Sequence, residues 1–500
     1  MEEKQDKSAA FLPNVGDLLF VGVCQLLLFM RPNYIFSDGS TGWHLVSGNF
    51  ILDKMAVPRV DIMSYTFPGK SWVAYEWLSD AFMALLVRLG GLNLLAVCST
   101  LAISFLVLCL YQRMRDEGAR FTFCVSASLV GLLASANHWL IRPHLFTFWG
   151  VYLFYSRLED FYRGKLSARA LLLWLFAVML VWVNTHPAFL LGFAILGVYG
   201  LATLCGVVCS KPGAEKTASI SRLKVLALAA PVIGLATLAN PYGVELYQYI
   251  RDYLHGTAIL AATDEFKPPV FGRLSLHAIC LEILMLLTAI GFYRGGKLTL
   301  PSFMLLLSSG HMALTAVRNI SLFSIISLPV LGRLFRKEDS AASPLNDFDA
   351  QEKLSNKHIL PLVYALIVVI MAFAGGLKSG FDPESQPVST LDYISAHKLP
   401  AKGGLALDNW GGILRYKLDM PVFIDDRADF FGEKFYQEYG VICEVRPGFE
   451  SLLDKNQINW ILFPRQSSLV DKLKATSAWK VAAEDQASVL LIRENGAGGK

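Results

Sequence analysis

Residues 16–77 read GDLLFVGVCQLLLFMRPNYIFSDGSTGWHLVSGNFILDKMAVPRVDIMSYTFPGKSWVAYEW, and this stretch decides the fold. Its first part, Gly16–Phe36, is an almost unbroken apolar run. At about 1.5 Å per residue it is long enough to cross a hydrocarbon core of about 30 Å as a helix. From Asp38 onward the chain turns polar and is broken by Pro58, Pro68 and Gly69, so it leaves the membrane there. Within lipid only a helix or a closed barrel satisfies its own backbone, and the run lacks the two-residue alternation of a barrel strand.

The same pattern recurs along the chain. Further apolar windows cover Leu92–Gln112, Phe121–Asn137, His144–Arg157, Ala168–Val183, Pro187–Val208, Leu223–Asn240, Leu274–Phe292, Leu298–Val317, Ile320–Leu334 and Ile359–Leu377. A composition of 54% hydrophobic and 17% charged residues is too apolar for a soluble chain of this length. The expected fold class is a polytopic α-helical membrane protein of about eleven transmembrane helices with a C-terminal extracytoplasmic α/β domain. No small-residue cleavage site follows the first window, so it is expected to remain as an anchor. The net charge of +4 is spread over connectors, which gives no nucleic-acid patch.

The connectors orient the chain. With the N-terminus inside, the cytoplasmic set holds about twenty Lys and Arg against about nine in the opposite set, which satisfies the positive-inside rule. Residues 1–15 then form a cytoplasmic tail, 16–378 a transmembrane domain with long external loops at 37–91 and 241–273, and 379–500 an extracytoplasmic domain. In the first loop, Trp43, Val46 and Phe50, then Leu78, Ala81, Phe82, Leu85 and Leu89, recur at helical spacing and predict two surface helices around an extended stretch. In the tail, LALDNWGG, PVFIDDRAD, NWILFP and SVLLIRE predict strands. Helices are expected near Thr390–Lys398, Glu433–Cys443, Phe449–Asn456 and Leu469–Thr476. Seven of the eight cysteines lie in or beside apolar windows and only Cys443 in the tail, so no internal tail disulfide is expected. Cys205 and Cys209 are one turn apart with no His or acid beside them, so no metal is indicated.

Several ionisable residues stand at expected outer helix ends. Asp38, directly after the first window, is placed to act as a general base on a polar acceptor beside a lipid-anchored substrate, or simply to end a helix in water. Arg142, Arg318, His138, His144 and His186 allow two readings: interface anchors, or a cationic ring around the phosphate of a lipid-linked donor. Glu282 and His311 fall at similar depth on two windows joined by a short turn, which suggests an intrabundle pair or a cavity-lining pair. In the tail, Asp425, Asp426, Arg427 and Asp429 form either a solvated turn or an acceptor-binding cluster, and Trp410 is either core or a sugar platform. There is no Walker loop, no GxGxxG after a strand, no HExxH and no GxSxG.

The layout resembles the GT-C superfamily of membrane glycosyltransferases, which includes protein O-mannosyltransferases and lipid A aminoarabinose transferases. Members place an Asp just past the first helix, followed by two surface helices with a Pro-containing turn. Asp38, Pro58 and the Glu76–Trp77 pair stand where that pattern expects them. Further echoes are RPH (Arg142–His144), NTHP (Asn184–Pro187), NPYG (Asn240–Gly243) and RNI (Arg318–Ile320). NWGG (Asn409–Gly412) and FIDDRAD (Phe423–Asp429) resemble the tail domain of uncharacterised bacterial members. Many members carry two adjacent acids where Asp38 is here followed by Gly39 and Ser40, which argues against a shared metal. A divalent cation is not otherwise indicated.

The resemblance implies an inverting glycosyltransferase in the plasma (inner) membrane that moves a sugar from a polyprenyl-phosphate donor to a glycan, lipid or protein hydroxyl. Asp38 would be its catalytic base, and Arg142, Arg318, His144 and His186 its phosphate ligands. His44, Glu76, Glu282 and His311 are cavity candidates. A transporter or lipid flippase and a non-catalytic envelope assembly protein are the rival readings; the first would show internal repeats and midplane charges.

Overall fold

The computed structural model describes residues 12–255, 264–272, 274–336, 344–354 and 357–494. Most of the tail expected over 1–15, part of the loop expected to be external over 241–273 (256–263) and part of the last basic connector (337–343) lie outside these residues.

Each apolar window coincides with helical structure. Among the described residues, six helices are long and apolar enough to cross a membrane: Trp77–Asp116, Ala168–Thr185, Pro187–Cys209, Ala214–Thr237, Leu276–Tyr293 and Val317–Leu334. Val15–Met30, Phe121–Ala134 and Ile359–Phe373 are shorter apolar helices. The first helix starts on a reciprocal cap. The Asp17 N–H donates to the Asn14 side chain at 2.9 Å, and the Asn14 N–H donates to the Asp17 carboxylate at 3.1 Å.

The first long loop carries the two expected helices. One helix spans Ser40–Lys54, and a second is the opening arm of Trp77–Asp116, which breaks at Gly90–Gly91 before continuing as an apolar span. Gly91 takes φ 67°, a left-handed conformation that a side chain would disfavour.

Short 3₁₀ turns at Ala136–His138, Pro187–Phe189 and Val317–Asn319 close one end of the bundle. Their place follows from sequence: Pro187 cannot continue the preceding helix, and His186 before it is extended. The opposite end is tied by buried ion pairs that the sequence did not announce. Arg333 meets Glu159 at 2.7 Å and Glu117 at 3.1 Å, while Arg113 meets Asp160 at 2.7 Å.

The tail carries a four-stranded sheet: β1 (Gly404–Ala406), β2 (Trp460–Pro464), β3 (Trp479–Glu484) and β4 (Ser488–Arg493), in the order β1-β2-β4-β3. β1 and β2 run parallel, and the other two pairs are antiparallel. The four expected tail helices are present at Val388–Ala396, Glu433–Cys443, Phe449–Lys455 and Ser468–Lys474.

Two strand expectations are corrected. After Ala406 the DNWGG segment opens a helix, Asp408–Leu418. PVFIDDRAD forms only a single bridge, Val422 with Ser64, because its backbone partners belong to the first loop and not to the tail sheet. There the Tyr65 N–H donates to the Val422 carbonyl and the Val422 N–H to that of Met63. Trp43, Met63 and Trp72 of the loop share a core with Leu405, Phe423 and Phe430 of the tail. Helix Asp408–Leu418 lies directly on Ser40–Lys54, and glycine permits it: a Cβ on Gly42 would come within 2.4 Å of the Gly412 carbonyl carbon.

The Glu282–His311 expectation is also corrected. Both side chains are exposed on the outside of the bundle, with no ion pair between them. The short turn does join their helices, but Ile320–Leu334 packs against both and separates them.

Candidate active site

A cavity of about 550 Å³ lies where the closed end of the bundle, the first loop and the tail meet. Arg142, His144, His186 and Arg318 all line it, as do His44, Glu76, Asp426, Arg427 and Asp429. The RPH, NTHP and RNI motifs thus converge with the first loop and the tail, from five separate regions of sequence. Glu282 and His311 do not line the cavity.

Asp38 is not among the residues that line the cavity; it is joined to it through Arg142, which does line it. One carboxylate oxygen accepts from the Ser40 N–H at 2.8 Å and the other from Arg142 Nη1 at 3.0 Å. Arg142 Nη1 also donates to Glu265 at 2.7 Å. Arg318 has no ion pair among the described residues; its guanidinium lies 4.4 Å from the Phe266 ring. His144 Nε2 donates to the His138 carbonyl at 2.6 Å. Burial lowers the His138 pKa to about 4, so it is neutral at pH 7.

Behind these lies a buried polar chain. Trp182 donates to Thr147 Oγ1 at 2.9 Å, Thr147 Oγ1 is 2.8 Å from His186 Nδ1, and the Ala188 N–H donates to that same nitrogen. With Nδ1 accepting, the ring proton belongs on Nε2, which faces Glu76 at 3.6 Å. Glu76 is also 4.0 Å from His44, whose Nδ1 is 2.7 Å from Asp80. Burial drives His44 and His186 well below the usual histidine range. Burial, then the neighbouring Asp80, pushes Glu76 well above the usual carboxyl range. A neutral acid flanked by neutral imidazoles can both give and accept hydrogen bonds, which suits a polyhydroxylated ligand.

The tail cluster is not a solvated turn. Asp425 and Arg427 are buried. Arg427 donates to Asp425 and to Asp61 of the first loop, each at 2.7 Å, with its guanidinium 4.5 Å from the Trp72 ring and 4.7 Å from that of Phe430. Asp429 bonds the Tyr249 hydroxyl. Asp426 is different: its Oδ1 is fully buried without a hydrogen-bond partner among the described residues. Burial first, then Asp38 and Asp425, raise its pKa well above the usual range. Trp410 is core, donating to the Ser385 carbonyl at 3.0 Å.

Other motif residues buttress the site. Asn184 of NTHP accepts from Trp77 Nε1 at 2.9 Å, fixing the Glu76–Trp77 corner. Tyr242 of NPYG donates to the Pro58 carbonyl and accepts from the Ala74 N–H. Glu265, Tyr75, Tyr249 and Tyr253 line the cavity and were not singled out from sequence. Leu246, Tyr249, Ile250 and Tyr253 carried a signal, the apolar face of helix Glu245–His255 within the second loop.

No family model matches the chain, and no curated protein sequence does. Solved structures do. The apo oligosaccharyltransferase of Archaeoglobus fulgidus superposes with a TM-score of 0.53 at 11% identity, over 90% of this chain and 69% of that one. The oligosaccharyltransferase AglB from Archaeoglobus fulgidus, in complex with an inhibitory peptide and a dolichol-phosphate, gives 0.55 at the same identity and coverage. ArnT from Cupriavidus metallidurans bound to undecaprenyl phosphate covers 97% of this chain and 99% of its own at 14% identity, with a TM-score of 0.47. At such identities the likeness shows the fold alone: the chain shares the fold of the archaeal oligosaccharyltransferase.

Proposed function

We propose that this chain is an inverting glycosyltransferase that takes a sugar from a polyprenyl-phosphate donor. An acceptor hydroxyl of a glycan, lipid or protein attacks the anomeric carbon. The carbon–oxygen bond to phosphate breaks, its electron pair stays on the phosphate oxygen, and Asp38 takes the hydroxyl proton. Arg142 and Arg318 offset the charge that grows on the leaving phosphate, an interaction strongest in the transition state. His144 and His186 complete that wall, and His44 and Glu76 hold sugar hydroxyls.

The observation that carries this reading is a convergence within one cavity. The Arg142 and Arg318 guanidiniums, Asp426 with a buried Oδ1 that has no partner among the described residues, and an apolar flank of Leu190, Leu191, Ala194 and Met312 all line it. Such a site suits a ligand with a phosphate, hydroxyls and a hydrocarbon chain. The dolichol-phosphate held by the AglB structure supports the same donor class.

In this reading the chain is a multi-pass protein of the plasma membrane, with eleven spans, a cytoplasmic N-terminus and residues 379–500 outside. Residues 16–378 carry out transfer. Asp426 touches the acceptor, while Asp425 and Arg427 hold the turn that presents it.

The test is transfer of labelled sugar from a panel of polyprenyl-phosphate sugars by protein reconstituted in liposomes with envelope acceptors. Transfer by wild type and its loss in Asp38→Asn support the reading; no turnover with any donor overturns it.

A further inference from the structure

Glu265 holds the place an incoming anion would need. Arg142 Nη1 donates to its Oε1 at 2.7 Å, its neighbour Phe266 lies against Arg318 at 4.4 Å, and the turn is secured by the Val317 N–H donating to the Lys267 carbonyl. Arg142 foremost, then Arg318, His138 and His144, keep the Glu265 carboxyl far below the usual range. Arg142, one of the two guanidiniums that would bind a donor phosphate, is thus occupied with a carboxylate of the protein itself.

The contact is built for exchange. The two side chains are 28% and 31% exposed, and Glu265 sits on a three-residue 3₁₀ turn, Asp264–Phe266, with no buried residue of its own. Half-exposed ion pairs contribute little to stability. By contrast the Asp38 pair and the Arg427 bolt are anchored in helix ends and core.

We propose that the Glu265 carboxylate occupies the seat of the donor phosphate, and that a polyprenyl phosphate enters by exchanging one anion for the other. The inference rests on reading Arg142 and Arg318 as phosphate ligands. A sugar phosphodiester carries one charge, so donor entry swaps like for like. The return of Glu265 to Arg142 then competes with the lipid phosphate left after transfer and speeds its release.

The test is the dissociation constant of undecaprenyl phosphate for the full-length protein in nanodiscs of neutral lipid, with phosphatidic acid as comparison. If the seat is mostly filled by Glu265, apparent affinity is reduced by the fraction of open sites. Glu265→Gln should therefore bind undecaprenyl phosphate roughly ten- to a hundredfold more tightly, with phosphatidic acid unchanged. Glu265→Asp keeps the charge with a shorter reach and should fall between, and it decides the matter if the Gln variant does not fold. Equal or weaker binding by the variants, or an equal gain for phosphatidic acid, overturns the exchange. No binding by wild type or variants overturns the donor reading itself.

Discussion

Arg142, which lines the cavity, and Asp38, 104 residues apart in sequence, form an ion pair at 3.0 Å. The proposed base and the proposed phosphate clamp are therefore mechanically one unit. Moving either displaces the other, and substitutions at the two positions should not be additive.

Asp38→Asn is nearly isosteric and can still accept from the Ser40 N–H, so the protein should purify and melt as wild type. If Asp38 is the base, turnover should fall by about 10²- to 10⁴-fold. A single-turnover assay on reconstituted protein checks this, and full activity in the Asn variant removes Asp38 from the chemistry.

Arg142→Lys keeps a positive charge but loses the planar fork, so its kcat/KM should lie between wild type and Arg142→Ala. Arg318→Ala removes a guanidinium that has no ion pair among the described residues. Each Ala variant should lose roughly ten- to a hundredfold in kcat/KM, as expected for one charge-assisted contact of about 1.5–3 kcal/mol. Interface anchors would instead leave turnover unchanged.

Arg427 joins the tail to the first loop. Arg427→Ala would leave Asp61 and Asp425 buried and unpaired, a loss of about 3–5 kcal/mol. Limited proteolysis should then release tail fragments that wild type protects. Arg427→Lys should be only a partial rescue, because the stacking on Trp72 and the double contact with Asp425 are lost.

Glu76 predicts a pH effect with a definite sign. Its folded pKa is raised above the unfolded value of about 4.3. The stability it contributes is therefore full below that value and is lost as pH rises through the folded pKa. The groups facing it are His44, His186, Asp80, Arg142, Asp429 and Arg318. Glu76→Gln cannot ionise, so its melting temperature should gain on wild type as pH is raised from 5 to 9. A constant difference between the two would show that Glu76 does not titrate as a buried acid.

Much of the fold was legible because lipid imposes one pattern: a helix must be apolar for its whole crossing, and Pro and Gly then mark where it stops. Asp38, Arg142, His144, His186 and Arg318 stood out for the same reason, as charges and imidazoles at the ends of such runs. What stayed hidden depended on contacts distant in sequence. The PVFIDDRAD segment looked like a strand because its partners, Met63 and Tyr65, lie in another loop. DNWGG looked like a strand end because the need for Gly412 appears only when Gly42 is packed against it. Glu282 and His311 were paired on depth alone, which fixes height in a bundle and not the direction a side chain faces. Glu265 sits in a short turn with no periodicity, so only the folded chain brings it to Arg142.

The most direct measurement is a structure of the protein in lipid nanodiscs with undecaprenyl phosphate. The account predicts the phosphate within hydrogen-bonding distance of both Arg142 and Arg318, with Glu265 withdrawn and the hydrocarbon chain along Leu190, Leu191 and Met312. A phosphate bound elsewhere, with the Arg142–Glu265 pair intact, would contradict it.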